Sequence, residues 1–197
     1  MITIQDCAAS RLRSILRSGA SFAAVVALSL GLGGCFISQQ PLFPEASALA
    51  AVGDGGRYLA YEKIGNRYKR DEAVELRRRD NGYDYINEKG AVTPLTLHPL
   101  GKNLFAIQAK NESGGYVYAR LRLLGNVGFV EVPDCDKQDL SKLKALGIAA
   151  QESELAKALT GRDHAQTHDC VLDGVNDVNK AFATIRFGAP TGKLVRQ

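Results

Sequence analysis

Tyr116-Val117-Tyr118-Ala119-Arg120-Leu121-Arg122-Leu123 alternates without a break. Successive side chains of an extended strand point to opposite faces, so Val117, Ala119, Leu121 and Leu123 share one side. Tyr116, Tyr118, Arg120 and Arg122 share the other. The first set belongs in a core and the second faces solvent or a partner. Tyr and Arg together suit contacts with carbohydrate, carboxylate or protein, which makes this second face the candidate binding surface.

Working outward, short alternating runs separated by turn residues extend from Arg57 to Pro133. They predict strands over 57–63, 73–79, 83–87, 93–98, 104–110, 116–123 and 127–132. Asn81-Gly82 is a hairpin signal because both residues tolerate positive φ. Glu88-Lys89-Gly90, Glu112-Ser113-Gly114-Gly115 and Gly125-Asn126 are further turns. Consecutive hairpins make antiparallel neighbours. After Pro133 the period changes. Leu140, Leu143 and Leu146 line one side of a helix that Asp136 caps and Gly147 ends; Leu155, Ala158 and Leu159 suggest a second. Val175, Val178, Phe182 and Ile185 form a third stripe, with Asp173 as cap and Gly188 and Pro190 as the stop. The expected fold is therefore one α+β domain over 57–197: an antiparallel β-meander, an open sheet or half-barrel, followed by C-terminal helices packed on it.

The N-terminal part has a different character. Residues 1–19 are polar and hold Arg11, Arg13 and Arg17, and an uncharged run of about thirteen residues from Ala20 to Leu32 follows. That run matches a secretory signal and is too short to span a bilayer, which takes about 20 residues. It ends in Leu32-Gly33-Gly34-Cys35. This resembles the lipobox of bacterial lipoproteins: an aliphatic residue, two small residues, then Cys. The resemblance implies a signal peptide over 1–34, with the diacylglyceryl group attached to the sulfur of Cys35. It also implies three acyl chains, where two already anchor stably. Phe36 in place of Asp after the Cys points, within that family, to the periplasmic face of the outer membrane. Residues 35–56 then read as the lipidated N-terminus and a flexible tether, with Pro41, Pro44 and Gly53-Asp54-Gly55-Gly56 breaking any period.

The charge balance depends on that leader. The chain of 197 residues carries 25 Lys and Arg against 21 Asp and Glu. Loss of residues 1–34 removes three arginines and Asp6, which leaves 22 against 20. A nearly neutral domain with dispersed charge does not suit nucleic acid, which demands a concentrated basic footprint. Of the four cysteines, Cys7 leaves with the leader and Cys35 takes lipid. Cys135 and Cys170 remain as an even pair in an oxidising compartment and are expected to form a disulfide. Their spacing matches neither a redox pair nor a zinc pattern.

Catalytic chemistry finds little support. His164 and His168 are four apart near Asp163 and Asp169, but no Glu stands between them as a metalloprotease requires, and a surface loop is the simpler reading. Ser113 lies in a strand–turn–strand context with no base to name. His98, between Leu97 and Pro99, reads as structural. Arg77-Arg78-Arg79 is a solvated strand end that discourages edge pairing, or an extension of the Tyr/Arg face if the two strands are neighbours. The turn Ser113-Gly114-Gly115-Tyr116 resembles a loop of the periplasmic lipoprotein lysozyme inhibitors, which are also small, β-rich and disulfide-bonded; four residues match, and no residue role is carried over. The expectation is a non-enzymatic binding module, without metal or cofactor, that is held to the membrane by its N-terminal lipid and meets an envelope protein or glycan. The alternative is a carrier of a small apolar ligand or lipid, with a cavity inside the sheet.

Overall fold

The computed structural model describes residues 35–44, 50–111, 114–152 and 168–197. All seven strands expected between 57 and 132 form. They are β2 (Gly55–Ile64), β3 (Arg67–Arg79), β4 (Gly82–Ile86), β5 (Val92–Gly101), β6 (Leu104–Lys110), β7 (Tyr116–Leu124) and β8 (Val127–Glu131). Their alternation lets each bury one face. Ala119 and Leu121 of β7 pack with Tyr58 and Ala60 of β2, Val74 and Leu76 of β3, and Leu194 in a single interior cluster.

The sheet does not stay open. The chain continues past Pro190 into β11 (Gly192–Arg196), which pairs antiparallel with β2 on one side and β8 on the other. β6 pairs with β7. The ring β2-β3-β4-β5-β6-β7-β8-β11 is a closed, eight-stranded antiparallel barrel. Strand makes up 55% of the structure and helix 11%, so the class is all-β, not α+β. Strands form in all seven expected places, although β3 begins at Arg67 and not at Ala73, and the expected open meander with terminal helices is overturned. What overturns it is a C-terminal strand seated between two strand edges that an open sheet would leave unpaired.

The helices are short. α1 (Leu140–Ala145) is capped by Asp139, whose side chain accepts from the Lys142 amide, rather than by Asp136. α2 (Val178–Thr184) is capped by Asp177, which accepts from the Lys180 amide, rather than by Asp173. The second expected helix, over 155–159, lies outside the described residues.

Three further strands extend the barrel wall. β1 (Phe36–Ser38) pairs antiparallel with the start of β7 at Tyr116 and Val117, and parallel with β10 (His168–Val171). β10 in turn pairs with β9 (Ala149–Glu152). β1 and β8 thus share one edge of β7, β1 at its first residues and β8 from Arg120 onward. The stretch 36–44 was expected to be part of a tether, but it is packed: Phe36, Ile37, Ser38 and Phe43 are all buried. With α1 and α2 it covers the outer side of β6 and β7 in a second apolar cluster containing Phe36, Phe43, Ala106, Tyr118, Leu143 and Phe182. The folded unit therefore begins well before residue 57.

Cys135 and Cys170 are joined, with Cα atoms 5.5 Å apart and a sequence separation of 35. Both are fully buried in the outer cluster. Closing a loop of that length in the unfolded chain corresponds to about 4 kcal/mol of stabilisation. Replacement of both cysteines by Ala should lower the unfolding free energy by about that amount in urea titration, with the barrel's far-UV circular dichroism retained below the transition.

Candidate functional site

Tyr58, Ala60, Val74, Leu76, Leu97, Ala119, Leu121, Val130 and Leu194 pack inside the barrel. At one mouth β2 begins, β11 ends and the β7–β8 turn crosses over. A cavity of about 280 Å³ opens there. Its walls are mainly apolar, from Val52, Tyr58, Leu76, Leu121, Leu123 and Leu194. Gly128 lets two leucines of the wall close over the backbone: a Cβ at that position would lie only 3.0 Å from Leu121 Cδ1 and 3.4 Å from Leu123 Cδ2. The rim carries Asn126 and Arg196. Arg196 Nη2 donates to the Gly55 carbonyl at 3.1 Å. Burial pushes the Tyr58 hydroxyl up in pKa, an effect the Arg196 charge partly offsets.

A short turn forms one side of the mouth. The Tyr83 hydroxyl accepts from the Val52 amide at 3.2 Å and donates to the Gly53 carbonyl at 2.8 Å, which holds 52–53 over the barrel end. Gly55 then admits the chain to β2. Its φ is 92°, and a Cβ there would meet the Leu76 carbonyl oxygen at 1.9 Å, so no other residue fits.

The Tyr/Arg face read from the sequence lies outside the barrel, on the side opposite the interior, as the alternation requires. It is not a free surface. Tyr118 is buried beneath Phe182 and the 36–44 stretch. Its hydroxyl lies 2.7 Å from Ser38 Oγ and donates to Gln108 Oε1 at 3.3 Å. Gln108 also accepts from the Phe43 amide at 3.0 Å and donates to the Phe43 carbonyl at 3.2 Å, pairing with that backbone as another strand would. Thr96 and His98 complete the set: Gln108 Nε2 donates to Thr96 Oγ1, and His98 bonds the same hydroxyl at 2.7 Å while stacking on Phe43. His98 is thus structural.

Arg120 and Arg122 both pair with Glu131, which is 1% exposed; Arg120 Nε donates to Glu131 Oε2 at 2.6 Å. The Arg120 guanidinium also stands 4.1 Å from the centre of the Phe187 ring. Only Tyr116 of the four face residues lacks such a fixed polar role here, and it is half-buried beside the outer cluster. Arg77, Arg78 and Arg79 pair locally with Glu75, Asp54 and Asp84. β3 and β7 stand four strands apart in either direction round the ring, so these arginines cannot extend the β7 face.

The remaining candidates are separate. Cys35 is buried; its amide donates to Asp169 Oδ1 at 2.7 Å and its carbonyl accepts from the Cys170 amide at 2.8 Å. His168 bonds Asp136 through both its amide and its ring Nδ1. His164 and Ser113 lie outside the described residues. The sequence reading missed Gln108, Ser38, Phe43 and Glu131, because Gln108 and Glu131 stand at ordinary outward strand positions and Ser38 and Phe43 lie in a distant segment with no period of its own. No family model, curated protein or solved structure matches the chain.

Burial is also the main reason that the Tyr118 hydroxyl is pushed up to about 12 from 10.0, while its bonds to Ser38 and the Leu42 amide act the other way. A raised pKa means that the neutral phenol is the form the fold holds. Its contribution is full below pH 10 and is lost as pH rises toward 12. Tyr118→Phe should cost about 1–3 kcal/mol at neutral pH, since it strands buried partners. The gap between wild type and variant in urea unfolding should narrow through that alkaline window.

Proposed function

We propose that this protein is a non-enzymatic binding protein that takes a small, mainly apolar ligand at the mouth of its barrel. The observation that carries this reading is the mainly apolar cavity at the barrel mouth. A closed eight-stranded barrel is wide enough to be packed by side chains or to hold one small ligand, and this one does both at different heights. About 280 Å³ lies at the lower end of the range of small-molecule sites, which suits a compact ligand rather than a long acyl chain. Arg196 at the rim favours a ligand with an anionic or carbonyl end, since its guanidinium offers five donors. The wall offers aliphatic groups and a tyrosine whose pKa is raised, which suits binding better than proton transfer. A protein or glycan partner recognised through the Tyr/Arg face has less support, because Tyr118 and both arginines are committed to the fold.

We further propose that Cys35 carries the lipid implied by its lipobox and holds the barrel at a bacterial membrane, at the periplasmic face of the outer membrane. Because β1 begins at the next residue and Cys35 is buried with it, processing comes before β1 docks.

Two measurements test these readings. The fluorescent probe 1-aminoanthracene should bind the wild type, and Val52→Phe, which enlarges a side chain lining the cavity, should weaken that binding tenfold or more. Equal binding by both would remove the cavity from consideration. Cys35→Ser should release the protein from the detergent-extractable membrane fraction and abolish the mass of the acyl groups. A variant that remains in that fraction would refute the anchor.

A further inference from the structure

Residues directly opposite one another on neighbouring strands share a face of the sheet. Following the pairings from β3 through β2 and β11 to β8 gives Arg70, Tyr61, Lys193 and Phe129 in one row. Cation and aromatic ring alternate along it. The row is on the outer wall, because Ala60 and Leu194, next in sequence to Tyr61 and Lys193, point into the interior cluster. The pair beyond it on the β2–β3 hairpin, Lys63 opposite Tyr68, repeats the alternation with the two kinds exchanged. Each tyrosine therefore has a cation beside it across the strands and another along its own strand. Glu62 is not part of this surface: it is paired with Lys69, and alternation turns both to the opposite face. Asp71 belongs with them, since it acts electrostatically on Glu62 and feels the charge of Lys69.

None of Lys63, Arg70 and Lys193 forms an ion pair with another described residue. Lys193 Nζ stands 4.7 Å from the centre of the Tyr61 ring and 4.8 Å from that of Tyr68. Ring faces are electron-rich, so the ammonium holds the two tyrosines and itself as one unit. Tyr61, Tyr68, Phe129 and Lys193 are half-buried, and Arg70 is exposed. None of them belongs to the outer apolar cluster built on 36–44 and the helices. Past Phe129 the row continues to Arg122, whose charge is already engaged by Glu131.

We propose that this wall binds an acidic glycan chain in which uncharged and carboxylate-bearing sugars alternate. The C–H face of a sugar carries partial positive charge and stacks on the electron-rich face of an aromatic ring. A guanidinium or ammonium receives the carboxylate of the next sugar. Neighbouring strands stand about 4.8 Å apart, close to the advance per sugar of an extended glycan. The alternation holds both across the strands and along them, so a chain crossing the curved wall in either direction meets ring and charge in turn. An acidic peptide would satisfy the cations and leave the rings unused; a neutral glycan would do the reverse. The site is outside the barrel and rests on neither the cavity nor the anchor.

Isothermal titration of the full-length protein with a hyaluronan octasaccharide, in which N-acetylglucosamine and glucuronate alternate, tests the proposal. The expected result is saturable binding, roughly tenfold or more tighter than that of chitohexaose, which has the rings without the charge, or of oligoglutamate, which has the charge without the rings. Arg70→Gln, Lys193→Gln and Tyr61→Leu should each weaken it about fivefold, read in variants whose far-UV circular dichroism matches the wild type. Lys69→Gln, on the opposite face, should leave binding unchanged. Absence of saturable binding of the octasaccharide overturns the proposal. Oligoglutamate bound as tightly as the octasaccharide overturns the glycan and makes an acidic protein segment the occupant. Equal losses from Lys69→Gln and Arg70→Gln overturn the site, leaving only diffuse attraction between opposite charges.

Discussion

Five residues of β11 hydrogen-bond to β2 on one side and β8 on the other, and every layer of the molecule depends on that double pairing. Without it, β2 and β8 would each present a row of open backbone donors and acceptors, and the interior cluster would face water between them. With it, the inward set of each strand meets the inward sets of strands from the far side of the ring. Leu194 of β11 then packs against the same core as Ala60 and Val130. Closure also creates the mouth. The cavity lies there, between Leu194 of β11, Tyr58 of β2 and Leu121 and Leu123 of β7.

The outer layer obeys a different rule. A barrel wall normally turns polar groups outward to water, but here β5 and β6 turn Thr96, His98 and Gln108 toward a covering segment. A buried amide of this kind is tolerated only when its groups are satisfied. Gln108 uses both ends of its side chain on the Phe43 backbone, which has no strand neighbour of its own at that point. The network therefore places the covering chain as much as it stabilises it. Arg120, Arg122 and Glu131 perform the matching task nearer the middle of β7, where two cations compensate one fully buried carboxylate.

This division explains what could be read in the sequence. Alternation names the two faces of a strand, and it did so correctly for Tyr116 to Leu123. It does not say what lies over the outer face. Phe36-Ile37-Ser38 is buried on both sides and so shows no period, and three residues are too few for one. β11 has the same difficulty: the last helix already ends at Thr184, before the expected stop at Gly188 and Pro190, and the five residues of β11 become a strand only because two edges await them. The four residues of β9 are all exposed and carry no core signal at all. The pair Cys135 and Cys170 was legible by elimination and stands as a disulfide. The cavity was not legible, since its walls come from β2, β3, β7, β8 and β11, which are brought together by a closure that no local pattern records.

The three-residue strand β1 also defines a path for force. It lies between β7 and β10, so a pull on Cys35 along the strand axis loads the bonds on both flanks in shear, where they must give together rather than one at a time. The parallel flank includes the Cys170 amide bonded to the Cys35 carbonyl and the Leu172 amide bonded to the Ile37 carbonyl. From Cys170 the load crosses the disulfide to Cys135, just beyond the end of β8, and enters the barrel wall through a covalent link. Tension at Cys35 is thus carried into the barrel wall through a covalent link as well as through hydrogen bonds.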